Sequence, residues 1–213
     1  MANDKIFAIT ISRQLGSGGA YLGQRLAKRL GALYMDREIL QKAAEKLNMP
    51  VDQLESRDEA VTPLWKSVLE SFSGGFALFG SYAPHYHTTT DSDLYRAETE
   101  IIQRVAGDYS TVIVGHGGYH ALADHPRHLS VFLHAGIPFR RARVQDIFKL
   151  SPQEAQSMIE ETALKRAQYR LALAGKQWTD SRQYHICIDT GVVGLEPAEE
   201  LIFSALHSRF GDV

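Results

Sequence analysis

A single cysteine, Cys187, is the whole thiol content of this 213-residue chain. No disulfide can form within it, which argues against a stapled secreted scaffold and makes a reducing cytoplasm the expected compartment. A lone cysteine inside the strand-like run "YHICID" is expected to be a small core residue. No apolar run approaches the ~20 residues needed to span a membrane, and the opening "MANDKIFAITIS" shows no signal-peptide pattern. Charge of one sign is missing too: 23 basic residues stand against 25 acidic ones, for a formal charge of −2. That balance argues against a general nucleic-acid binder. It leaves room for a local basic pocket that takes a phosphorylated small molecule. There is no internal repeat, no low-complexity tract and no interdomain linker. With 44% hydrophobic residues, one unit spanning 1–213 is expected.

The apolar runs that do occur are short, and the first of them, "IFAITIS", is β-branched. They fall at about 6–12, 32–36, 110–115, 128–135 and 184–189, with helical segments between them. Short buried runs alternating with helices predict a five-stranded parallel sheet with helices on both faces, an α/β three-layer sandwich. In "AYLGQRLAKRL", Leu22, Leu26 and Leu30 share one helix face, and Gly31 is placed to close that helix. Ser151, Pro152 and Glu154 make a helix start, with a capping hydroxyl and an acid three residues on. Residues 73–92 sustain no period, and a loop of that length is usually functional or mobile.

The first strand runs into "SRQLGSGGAYLGQRLA", Ser12 to Ala27. A strand, a glycine turn and a helix start together make an anion site, because unhindered N–H groups and the helix dipole meet there. In the P-loop pattern G-x-x-x-x-G-K-[ST], lysine reaches the β/γ-phosphates and the hydroxyl holds Mg²⁺. Here Arg13 stands at the first glycine, Gly18 at the second, and Gly19 and Ala20 replace lysine and hydroxyl. Two readings stay open from the motif: a phosphate cradle over Gly16, Ser17, Gly18, Gly19, Ala20 and Tyr21, or a tight turn that binds nothing. The dinucleotide pattern G-x-G-x-x-G fits less well, since Tyr21 occupies its third glycine, although Asp36 lies where a ribose-reading acid would.

Nine histidines raise the question of a metal. His85 and His87 lie in the irregular stretch, and His116 and His120 are four apart. Without an H-E-x-x-H or a cysteine partner, no protein metal site is expected.

Across nearly its full length the chain resembles the cytidylate kinase-like family, a branch of the P-loop nucleoside monophosphate kinases. The resemblance rests on "ITISRQLGSGGAYLGQRLAKRLGALYMDREIL", "STVIVGHGGYHAL", "VFLHAGIPFRRARV" and "AGKQWTDSRQYHICIDTGVVGLEPAEELI" in that order. It implies a P-loop kinase fold with a small helical region beside the sheet: a mobile acceptor-side insertion over about 50–92 and a lid over about 160–182. It also implies ATP with Mg²⁺ as donor and a nucleoside monophosphate such as CMP as acceptor, with no nucleic-acid or membrane partner. By position it places Asp36, Lys42, Arg140, Arg143 and Arg166 toward the acceptor, and Asp189 and Thr190 at the donor base. The chain departs from the family's enzymes at several positions. Gly115, His116 and Gly117 replace a Gly-Arg-Asp run, His134 replaces an aspartate, and Ala163 replaces an acid. With His116 in that run, it becomes the candidate donor toward an acceptor phosphate.

Phosphoryl transfer is mainly positioning and charge neutralisation, so a missing lysine requires another cation. Arg13, at the mouth of the loop, is the first candidate, with Arg166 as its helper. Pairing of Arg13 with Asp36 or Glu38 is the other possibility. Arg170 and Lys176 either close as a lid or belong to a solvated helix face. Mg²⁺ would be held mainly through phosphates, with Asp36 as the protein group at hand. Two functions follow: an ATP-dependent phosphotransferase acting on a small phosphate acceptor, or a nucleotide-binding regulator that kept the fold without turnover.

Overall fold

The computed structural model describes residues 5–36, 91–115, 117–174, 178–211 and 213, and the side chains of all these except 91–97 and 168–174. The strands are β1 (Ala8–Arg13), β2 (Leu33–Met35), β3 (Thr111–Val114), β4 (His128–His134) and β5 (Ile186–Asp189). They form one sheet in the order β2-β3-β1-β4-β5, with every neighbouring pair parallel. Among the described residues the helices are α1 (Gly19–Leu30), α2 (Asp91–Asp108), α3 (Gly118–Ala121), α4 (Ile137–Phe148), α5 (Pro152–Ala174), α6 (Thr190–Val193) and α7 (Leu195–Phe210).

The period-2 alternation of the strands divides the core into two layers. Ile9, Ile11, Val112, Val114, Val131 and Leu133 pack on one face against Leu22 and Leu26 of α1 and Ile202 and Leu206 of α7. Ala8 and Ile113 turn to the other face, against Ile101, Ile102 and Val105 of α2 and Ala121 of α3. Both faces are covered, so apolar side chains from the strands point to both sides of the sheet, as in a buried parallel sheet. Helices α1 and α7 are also clasped by charge. The Arg25 Nε–H donates to Glu199, whose carboxylate is almost wholly buried, and Arg29 donates to Glu200 over 2.6 Å.

Local signals set the helix ends. Gly31 ends α1 in the left-handed region at φ 62°, its N–H bonded to the Ala27 carbonyl. At α5 the Ser151 N–H donates to Glu154 (2.8 Å) and the Glu154 N–H to Ser151 Oγ (3.3 Å), a reciprocal cap.

Two expectations need correction. β5 begins at Ile186, not at residue 184, because the Ser130 N–H is taken by His185 Nδ1 at 2.9 Å instead of by a strand carbonyl. Cys187 is exposed rather than in the core. β5 is the outer strand of the sheet, and its alternation turns Cys187 away while Ile188 faces inward. Most of the expected 50–92 insertion lies outside the described residues, and the expected lid coincides with the second half of α5 and the turn at Ser181–Gln183.

Candidate functional site

β1 is flanked by β3 on one side and β4 on the other. In open parallel sheets such a switch point leaves a crevice beyond the carboxyl ends of the strands. The glycine turn after β1 lies there, and several long-range bonds fix it. The Gln14 N–H donates to the Leu133 carbonyl (2.9 Å), and the Gln14 side-chain oxygen accepts from the Ala135 N–H (3.2 Å). The fully buried Ser17 donates its hydroxyl to the Gln14 carbonyl at 2.8 Å, with the Leu133 carbonyl at 3.1 Å. The hydroxyl of Thr190 lies 2.9 Å from the Ser17 carbonyl and 3.1 Å from that of His134.

Gly16 and Gly18 both hold positive φ, 85° and 88°, where a side chain is strained. Neither has room for one. A Cβ on Gly16 would meet the Arg140 carbonyl oxygen at 2.6 Å, and one on Gly18 would meet Leu195 Cδ2 at 2.4 Å. The first α-helical bond of α1 runs from the Leu22 N–H to the Gly18 carbonyl (2.9 Å). The N–H groups of Gly19, Ala20 and Tyr21 therefore have no partner four residues back inside α1 and face the positive end of the helix dipole. A turn of this shape receives an anion through its backbone. The side chains of Ser17 and Tyr21 serve elsewhere. Ser17 braces the turn, and the Tyr21 hydroxyl donates to Glu196 at the start of α7 (3.3 Å).

Cations gather at the same end of the sheet. The stem of Arg13 lies across Gly19, and its guanidinium lies over Gly115 at the end of β3. Glu38, one of the two acids weighed as a partner of Arg13, lies outside the described residues. Asp36 and Arg13 both act electrostatically on Tyr34, whose hydroxyl is buried. Burial first, and Asp36 second, push that phenol well above its ordinary range. Arg166 of α5 donates to the Arg13 carbonyl (2.5 Å), so α5 reaches the turn. Arg140 is 7% exposed, and its Nε–H donates to the Ala135 carbonyl (2.8 Å). Burial lowers its pKa, and no carboxylate offsets the effect. Arg143, one turn on, has a buried Nε with no hydrogen bond. A guanidinium taken out of water without a carboxylate is costly unless an anion joins it.

Asp189 caps α6, its carboxylate accepting from the Gly191 N–H (2.9 Å) and the Val192 N–H (3.3 Å). Asp189 and Thr190 thus order the strand ends around the turn. Lys42, His116 and Lys176 lie outside the described residues, as does the side chain of Arg170. His85 and His87 do as well, and His120 is exposed on α3. Among the described residues no group of three or more His, Cys, Asp or Glu side chains is placed to hold a metal ion. No described helix is long and apolar enough to cross a membrane. Sequence reasoning missed Gln14, Leu195 and Gly115. The long-range partners that define their roles leave no local pattern.

A glycine turn between strand and helix, at the switch point of a five-stranded parallel sheet, gives the chain a P-loop kinase fold. Residues 8–192 match the cytidylate kinase-like family, and the chain belongs to it. Its structure is similar to that of an uncharacterized protein from Eubacterium ventriosum, which is 22% identical, with a TM-score of 0.71 over 95% of this chain and 99% of that one. It is similar more distantly to a shikimate kinase from Bacteroides thetaiotaomicron (14% identity, TM-score 0.50, 94% and 98% covered). A gluconokinase from Sinorhizobium meliloti is similar to the same degree (13% identity, TM-score 0.50, 95% of each chain). No curated protein matches the chain.

Proposed function

We propose that this chain is an ATP-dependent phosphotransferase that moves the γ-phosphoryl group to a nucleoside monophosphate or another small phosphate acceptor. The observation that carries the proposal is the course of Arg13. Its stem covers the start of α1 and its head lies over Gly115, so its charge sits between the phosphate turn and the ends of β3 and β2. Donor and acceptor phosphates meet there in this reading, and the position left without lysine at Gly19 is served by the neighbouring arginine.

The residues present fit a bound triphosphate. The left-handed glycines and the first-turn N–H groups offer a cradle that a Cβ would fill. When bound, ATP supplies the transferable phosphoryl group and Mg²⁺ neutralises charge on its β- and γ-oxygens. The turn over Gly16–Tyr21 holds the donor phosphates through its backbone. Arg13 and Arg166 stabilise charge on the group in transit, with the Arg13 carbonyl orienting Arg166. Arg140 and Arg143, with Asp36, Lys42 and His116, are the acceptor-binding residues of this reading, by their position in the family pattern. Asp189 and Thr190 shape the donor-base side, and Arg170 and Lys176 belong to the lid. The Ser17 hydroxyl is engaged with two carbonyls, so Mg²⁺ would be held mainly through phosphate oxygens and water. We take the whole chain, 1–213, as one such unit, working in the cytoplasm on small phosphorylated partners.

The test is ADP release from ATP across a panel of nucleoside monophosphates and other small phosphates. At least one acceptor is expected to drive release. Arg13→Ala should cut that release by roughly 10–100-fold, the size of one lost charge-assisted contact, with an unchanged circular dichroism spectrum. ATP binding without release for any acceptor would overturn the enzyme reading in favour of a nucleotide-binding regulator.

A further inference from the structure

The standard P-loop has glycine at the position of Arg13 and lysine at the position of Gly19. This chain has the cation at the first position and the glycine at the second, and the structure brings the two into contact. A Cβ built on Gly19 would lie 2.6 Å from Arg13 Cγ, 2.8 Å from its Cβ and 3.2 Å from its Cδ. These are stem atoms close to the backbone, so swinging the guanidinium aside would not make room. Backbone conformation does not demand glycine at 19, because Gly19 is not among the residues at positive φ. A helical glycine there even works against helix stability relative to alanine. Close approach of Arg13 is what requires it. Gly115 completes the arrangement, since a Cβ there would lie 2.1 Å from Arg13 Nη1.

We infer that the charge of this phosphate loop has been transposed. Arg13 and Gly19 are a reciprocal exchange for glycine and lysine, with Gly19 and Gly115 as the positioning residues that seat the arginine. The charge half of this inference rests on the proposed reading of the turn as a phosphate site. The packing half stands without it.

The experiment is a mutant cycle read by melting temperature and by calorimetric binding of inorganic tripolyphosphate. The variants are Gly19→Lys, Arg13→Gly and the two combined, with Gly19→Ala made in both backgrounds. Each single change to Lys or Gly should weaken tripolyphosphate binding by roughly tenfold or more, and the double variant should recover it to within about threefold of the parent. Gly19→Ala should lower the melting temperature when Arg13 is present and raise it when residue 13 is glycine, because the helix-propensity gain then acts alone. Equal effects of Gly19→Ala in both backgrounds would overturn the packing half. A sign reversal with no recovery of binding in the double variant would overturn the transposed charge while leaving the seat. A parent chain that binds neither tripolyphosphate nor ATP would overturn the phosphate-site reading, and the melting cycle would still decide the exchange.

Discussion

His128 begins β4 at the end of the sheet away from the phosphate turn. It is 4% exposed, and its Nε2 lies 2.7 Å from Thr10 Oγ1. Its ring meets that of His185 edge-on at 5.8 Å, with His125 and Arg209 close enough to add positive charge. Burial is the largest cause, and these neighbours follow, in lowering its pKa from 6.5 to about 4. The unfolded chain therefore takes up a proton below 6.5 that the folded chain refuses until about 4. Stability is undiminished above 6.5 and is lost as pH falls through that window, with the full loss reached below the folded pKa. The difference corresponds to about 3 kcal/mol in all, and to roughly 2 kcal/mol between about pH 7.5 and pH 5. Urea unfolding of the parent and of His128→Gln at those two pH values isolates the effect, since other titrating groups act in both proteins. The parent should lose roughly 2 kcal/mol more than the variant on acidification. Equal losses would refute the reasoning and show that the ring is protonated within the fold.

Two further outcomes concern the turn itself. Thr190→Val removes the hydroxyl shared by the Ser17 and His134 carbonyls, so stability should fall by about 1–3 kcal/mol and ATP affinity should fall with it; denaturant titration and calorimetry read the two effects. Arg140→Met trades a buried, unpaired guanidinium for an apolar side chain at the loss of one bond to Ala135. Its unliganded stability should stay within about 1 kcal/mol of the parent, while thermal stabilisation by the phosphate acceptor should largely vanish. A collapse in unliganded stability would make that arginine structural.

The parallel sheet was legible because each strand is a short apolar run between helical segments, and in β1 Ile9 and Ile11 already alternate with Ala8 and Thr10. Helix ends were legible wherever capping is local, as at Gly31 and at Ser151 with Glu154. Arg13 was legible as a candidate because it occupies a fixed place in a known pattern. The reason for Gly19 was not, since its explanation is a contact with a side chain from the preceding strand. Thr190 looked like part of the donor-base loop, yet its hydroxyl reaches Ser17 across 173 residues, a distance no local pattern spans. Arg140 was placed toward the acceptor by its position in the family pattern, with nothing local to show that it is buried. Its burial depends on the packing of α4 against the turn. Cys187 was misjudged because an outer strand and an inner strand read alike until their order in the sheet is known.

The account turns on Arg13 standing in for the absent lysine. The direct measurement is calorimetric titration of Mg²⁺-ATP into the parent, Arg13→Ala and Arg13→Lys, each checked for an unchanged fold. Arg13→Ala is expected to lose roughly tenfold or more in affinity, with Arg13→Lys recovering only part of the loss because it keeps the charge without the fork. Equal affinity in all three proteins would contradict the account.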